Sequence, residues 1–176
     1  MANNIAGPDP DVSLSKELSH QPNRDVLILG IGNILLSDEG AGIKALEILR
    51  ERYSVPDQVE LIDGGTIGFE LLYNIENRSH LIIVDAVKSG KPPGTVVRIN
   101  DPHAFFQKKI SPHQIGLCDV LALADISNAL PKNMVLFGIE PKHVSTGLDI
   151  SPEVKKGIYT VVDEIAVYLR NINLSL

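Results

Sequence analysis

One cysteine, Cys118, is all that this 176-residue sequence contains, so no internal disulfide can form. A single thiol in a chain of this size fits a reducing compartment, and a cytoplasmic location is expected. Long hydrophobic runs are missing too: none exceeds six residues, against the roughly 20 that a membrane-spanning helix needs. The N-terminal stretch lacks the apolar core of a secretory signal and has no twin-arginine pair. Positive charge is in deficit. Sixteen Lys and Arg against 22 Asp and Glu give a formal charge of −6, and the basic residues are scattered. A nucleic-acid binder needs a clustered basic face to release counterions, so that class is excluded. An acidic domain is equally unsuited to an anionic membrane surface. Absent as well are an HExxH or paired-cysteine zinc pattern, a G-x-S-x-G nucleophile elbow and a P-loop.

What remains is an ordinary globular composition, 44% hydrophobic and 22% charged, at the length of one domain. Residues 1–24, interrupted by Pro8, Pro10 and Pro22, read as a flexible polar arm, and residues 25–176 as a single α/β domain. Apolar runs at Val26–Leu29 and Leu81–Val84 have the continuous character of strands buried on both faces. Shorter strands are expected at Gln58–Ile62, Gly94–Ile99 and Met134–Ile139. Between them, Ile43, Leu46, Leu49 and Tyr53 recur at helical spacing, as do Val154, Ile158, Val161, Val162, Ile165 and Leu169. Further helices are expected through Phe69–Ile75 and from Ser111-Pro112, and Ser151-Pro152 opens the last one. The link from Val84 to Gly94 is too short for a helical crossover, so the strand at 94–99 is expected to run antiparallel. The reading is a three-layer α/β sandwich: a twisted, mostly parallel five-stranded sheet with one antiparallel strand and helices on both faces. Ligands in such folds sit beyond the carboxyl ends of the strands, which selects segments 32–42, 63–68, 85–94 and 140–150.

The glycine-rich turn at Gly30 and Gly32 invites a dinucleotide reading, but the fingerprint's third glycine falls on Leu35. Asp38 and Glu39 at the following helix start would also repel phosphates. Asp38 is assigned to capping that helix, which leaves Glu39 for a site. Asp85 ends an apolar strand where the sheet opens, and a carboxylate so placed needs a partner or a metal. His113 lies in Ser111-Pro112-His113-Gln114, a helix start whose dipole disfavours imidazolium and leaves a neutral ring able to ligate metal or accept a proton. Cys118, five residues on, reads as a small core residue. Two carboxylates and one imidazole from three segments suit an open divalent transition-metal site.

The segments GIGNILLSDEGAG, DGGTIGFELL, HLIIVDAV, SPHQIGL and FGIEP, in this order, resemble the hydrogenase maturation endopeptidases of nickel-iron hydrogenases. The resemblance spans about residues 25–170. It implies an endopeptidase that removes a short C-terminal peptide from the nickel-loaded large-subunit precursor. It places the family's metal-binding and catalytic positions on Glu39, Asp85 and His113. Asp63 matches an acidic position linked to activity or substrate recognition, and Gly64 and Gly65 beside it are candidates for substrate binding. The nickel is expected to come with the precursor, the same donors being able to take other divalent metals. The partner is expected to be that precursor, with no nucleic acid or membrane, and a monomer is favoured, although the sequence leaves the oligomeric state open. The rival reading is a nickel-sensing maturation chaperone that binds the loaded precursor without cutting it.

Overall fold

The computed structural model describes residues 24–65, 71–102 and 115–176. The expected N-terminal arm lies outside these residues except for Arg24. Among the described residues there are five strands: β1 Val26–Ile31, β2 Val59–Gly65, β3 His80–Ala86, β4 Val96–Ile99 and β5 Asn133–Ile139. They form one sheet in the order β2-β1-β3-β5-β4. The pairings β1–β2, β1–β3 and β3–β5 are parallel, and β4 pairs antiparallel with β5. The sheet is therefore the one expected, including its antiparallel edge.

Helices follow the strands: α1 Ala41–Arg52, α2 Leu71–Ile75, α3 Ile115–Ile126 and α4 Pro152–Asn171, with a 3-10 turn at Ser37–Gly40 ahead of α1. β1 is buried along its length, β3 from Leu81 to Asp85 and β5 from Val135 to Ile139, and their alternate side chains feed two different cores. On one face Val26, Ile28, Ile82, Val84, Val135 and Phe137 pack with Leu46 and Leu49 of α1 and with Ile158, Val161, Val162 and Ile165 of α4. On the other, Leu27, Leu29, Leu81 and Ile83 meet Leu71 and Ile75 of α2 and Leu117, Val120 and Leu121 of α3. The helix α4 starts as expected. Ser151 is its N-cap and accepts a hydrogen bond from the Val154 amide, and Pro152 opens the first turn.

Strand order decides where a ligand can enter. After β1 the chain passes to β2 on one side of it; after β3 it passes to β4 and β5 on the other. The connections thus diverge between β1 and β3. Such a switch point leaves a crevice at the carboxyl ends of the two strands, where open α/β sheets bind ligands.

Candidate active site

Glu39 and Asp85 flank that crevice. Asp85 lies near the end of β3, in register with Gly138 of β5, and is 4% exposed. Glu39 sits in the 3-10 turn that follows β1, is 7% exposed, and the turn packs against β3. Two carboxylates are therefore held out of water at neighbouring strand ends. Burial of this kind is costly unless the groups are partnered or bind a cation.

Glycines make the close approach possible. Gly32 has φ +133, and a Cβ there would come within 1.9 Å of the Glu39 carbonyl oxygen. The backbone of Glu39 thus rests directly on the turn after β1, which only glycine permits.

Asp38 departs from its expected role. The 3-10 turn is entered from Leu36 and has no side-chain cap, so Asp38 lies inside the turn rather than before it. Its carboxylate, fully buried, turns instead toward the segment between β5 and α4. Oδ1 accepts from the Ser151 amide at 2.7 Å; Oδ2 accepts from the Ser151 hydroxyl, the Lys142 amide and the His143 amide at 3.0, 2.9 and 3.1 Å. Burial acts to raise the pKa of Asp38, but these bonds, led by Ser151, outweigh it and hold the group below the ordinary aspartate value.

Glu140, directly after β5, supports the other side of the crevice. It is 8% exposed, and its Oε2 accepts from the Ser89 amide and hydroxyl, both at 2.6 Å, and from the Lys91 amide at 3.3 Å. It thereby fastens the loop that leaves β3 just beyond Asp85. The sequence places Glu140 in the FGIEP segment and Ser89 in the selected stretch 85–94, but nothing in it pairs the two.

Asp63, by contrast, is exposed at the end of β2, where Oδ1 accepts from the Gly65 amide at 2.8 Å. Gly64 is packed: a Cβ there would stand 2.8 Å from Cδ1 of Ile31. Residues 66–70 of the same loop lie outside the described residues, and so does His113, the third expected ligand, with its helix start. Among the described residues no group of three His, Cys, Asp or Glu side chains is arranged to hold a metal ion. Cys118 of α3 is half-buried against the core, and burial pushes its thiol pKa up, with the Asp119 charge acting in the same direction. Among the described residues no helix is long and apolar enough to cross a membrane.

Comparison with known proteins decides the class. The family model described as hydrogenase maturation protease matches residues 43–167, well over half of the chain. The chain belongs to the hydrogenase maturation protease family. It is therefore a peptidase. The match includes Asp63, Asp85 and His113 and begins just beyond Glu39. The protease is similar to the hydrogenase 2 maturation protease of Escherichia coli K12, with 43% identity over 148 residues, 82% of this chain and 90% of that one. It is 45% identical over 123 residues to the hydrogenase expression/formation protein HoxM of Azotobacter vinelandii, which covers 68% of this chain and 59% of HoxM. Among solved structures, the hydrogenase maturating endopeptidase HybD from Escherichia coli superposes with a TM-score of 0.79 at 41% identity, covering 85% of this chain and 94% of that one. The NiFe hydrogenase maturation protease HybD from Thermococcus kodakarensis gives 0.68 at 33% identity, with 82% and 97% covered.

Proposed function

We propose that this protease removes a short C-terminal peptide from the nickel-loaded large-subunit precursor of a nickel-iron hydrogenase, and that it recognises the nickel carried by that substrate. The observation that carries this reading is the pair Glu39 and Asp85, two buried carboxylates on either side of the switch-point crevice. Their oxygens, with the imidazole of His113 as third donor, form a donor set suited to a borderline divalent metal. Three protein donors leave coordination positions free for the ligands that the precursor already places on its nickel.

In this mechanism the three side chains complete the shell of the substrate's metal and so hold the adjoining tail in the crevice. Glu39 or Asp85, as a carboxylate, orients a water, takes its proton as that water attacks the scissile carbonyl, and passes the proton to the departing amine as the C–N bond breaks. The metal lends Lewis-acid polarisation when the substrate is bound. Asp63, with Gly64 and Gly65, lines the β2 side of the approach and contacts the tail. Because the metal arrives with the substrate, a precursor without nickel offers nothing for the three donors to grip.

The test is direct. Purified protease is incubated with nickel-loaded and with nickel-free precursor, and both products are weighed by mass spectrometry. A short C-terminal peptide lost from the loaded form alone is the expected result. Binding of the loaded form without any shortening would move the assignment to a nickel-sensing chaperone.

A further inference from the structure

We propose that Asp38 is the positioning residue of this site: one buried carboxylate ties both ends of the loop from Lys142 to Ser151 to the turn that carries Glu39, and so sets where the Glu39 side chain stands. The inference rests on the reading of Glu39 as a site residue. Its basis is a convergence that the fold does not otherwise require. The amides of Lys142 and His143, where the loop leaves β5, and the amide and hydroxyl of Ser151, where it enters α4, all donate to the same carboxylate. The loop is thereby closed at its neck, and the neck is the residue before Glu39.

The body of the loop holds the same turn from outside. The Ser37 amide donates to the Gly147 carbonyl at 2.8 Å, the Gly147 amide to the Leu35 carbonyl at 3.0 Å, and the Ser37 hydroxyl to the Ser145 carbonyl at 3.0 Å. Leu36 and Gly147 form a parallel bridge. Ser37 adopts a left-handed φ of 53, a conformation that a non-glycine residue keeps only where its surroundings enforce it. With Gly32 beneath the Glu39 carbonyl, the turn is fixed on three sides. Loop and turn therefore move as one body.

Chemistry also says why the residue is an aspartate. Four donors converge on two oxygens, three on Oδ2 and one on Oδ1. Asparagine offers one acceptor oxygen and turns an NH2 toward a donor at the other position, so either orientation leaves at least one buried amide facing a donor. A buried charge held this way is an expensive means of stabilising a loop, since apolar packing of similar volume does as well or better. Its value lies in fixed geometry.

The experiment measures the affinity for Ni2+ alone by calorimetry, without precursor, in the wild-type chain and in Asp38→Asn, Ser151→Ala and Glu39→Gln. Circular dichroism and thermal unfolding of each variant accompany the titrations. Asp38→Asn is expected to fold and to bind nickel about ten-fold or more weakly, as losses behind a metal ligand do. Ser151→Ala, which removes one donor of the four, is expected to weaken binding by a smaller factor. A folded Asp38→Asn with a lowered melting temperature and wild-type nickel affinity would be structural only, and would overturn the proposal. Should Asp38→Asn fail to fold, Ser151→Ala decides, and unchanged nickel affinity there also overturns it. Wild-type nickel affinity in Glu39→Gln would remove the reading of Glu39 itself, and the positioning role with it. Loss in Glu39→Gln with none in folded Asp38→Asn would remove the positioning role alone.

Discussion

Gly42 lies against the end of β3 so closely that a Cβ on it would stand 2.3 Å from the carbonyl oxygen of Val84, the residue before Asp85. The same atom would stand 2.3 Å from the Ile31 carbonyl, at the end of β1. Both obstacles are backbone, so neither can rotate away. Gly42 thus sets how near the start of α1, and Glu39 just ahead of it, can come to Asp85.

Replacement of Gly42 by alanine is therefore expected to lift the start of α1 off the two strands. The intrinsic helix propensity of alanine favours the change by about 1 kcal/mol. Overpacking against fixed backbone costs about 1–3 kcal/mol or more and should win. Urea denaturation is expected to show a net loss of stability, and precursor processing should fall further than stability does, because Glu39 and Asp85 move apart. A Gly42→Ala variant with full activity would show that their spacing is not critical.

Asp85→Asn tests the site without disturbing its shape. The substitution is nearly isosteric and takes a charge out of a 4% exposed position. Circular dichroism should show the variant folded, so that a change in processing reports on the site. Processing of nickel-loaded precursor should drop at least about a hundred-fold, the low end of what a lost general base or metal ligand removes. His113→Ala should lose processing to a similar degree. Normal cleavage by both variants would remove the metal-site assignment.

Much of this arrangement could be read from the sequence because it is local. The apolar run Leu81–Val84 ending in Asp85 announces a buried strand that opens at a carboxylate, and the antiparallel β4 follows from the shortness of its link to β3. Ser151-Pro152 announces the start of α4. What escaped is what depends on residues far apart in the chain. Asp38 beside the glycines of the turn has the look of a helix cap, yet its partners are Lys142, His143 and Ser151, more than a hundred residues away. Nothing in the spacing of Glu140 and Ser89 announces that one fastens the other. Hydrogen bonds of this kind are fixed by the sheet order, which brings the loops after β1, β3 and β5 to one end.

Glu140 predicts a pH dependence. Burial acts to raise its pKa, but the Ser89 hydroxyl and the amides of Ser89, Lys91 and Gly90 outweigh that and hold it below the ordinary glutamate value. Glu60 is lowered too, as the charge and hydrogen bonds of Arg78 and Arg24 overcome its burial. A carboxyl whose folded pKa is depressed adds stability that is complete above its unfolded pKa and is lost as pH falls through the folded one. The urea midpoint is thus expected to hold from neutral pH down to the ordinary glutamate range and to decline below it. Glu140→Ala, which strands the Ser89 and Lys91 amides, should cost about 1.5–3 kcal/mol at neutral pH and flatten the acid decline. An unchanged acid profile in Glu140→Ala would place the dependence on other carboxylates.

Metal removal separates a resident ion from one delivered by the substrate. The fold stands on two hydrophobic cores, and the turn carrying Glu39 is fixed by Asp38, Gly32 and the loop at 142–151. Treating the protease with a chelator and desalting it should then leave its melting temperature unchanged. If the nickel comes with the precursor, the stripped protease should cut nickel-loaded substrate at the untreated rate and leave nickel-free substrate whole. Preloading the protease with nickel should not rescue the nickel-free precursor, because the ion must sit where the precursor's own ligands hold it beside the scissile bond. Rescue by preloading would mean that Glu39, Asp85 and His113 hold a working metal of their own, and the checkpoint would then lie elsewhere than in the substrate's nickel.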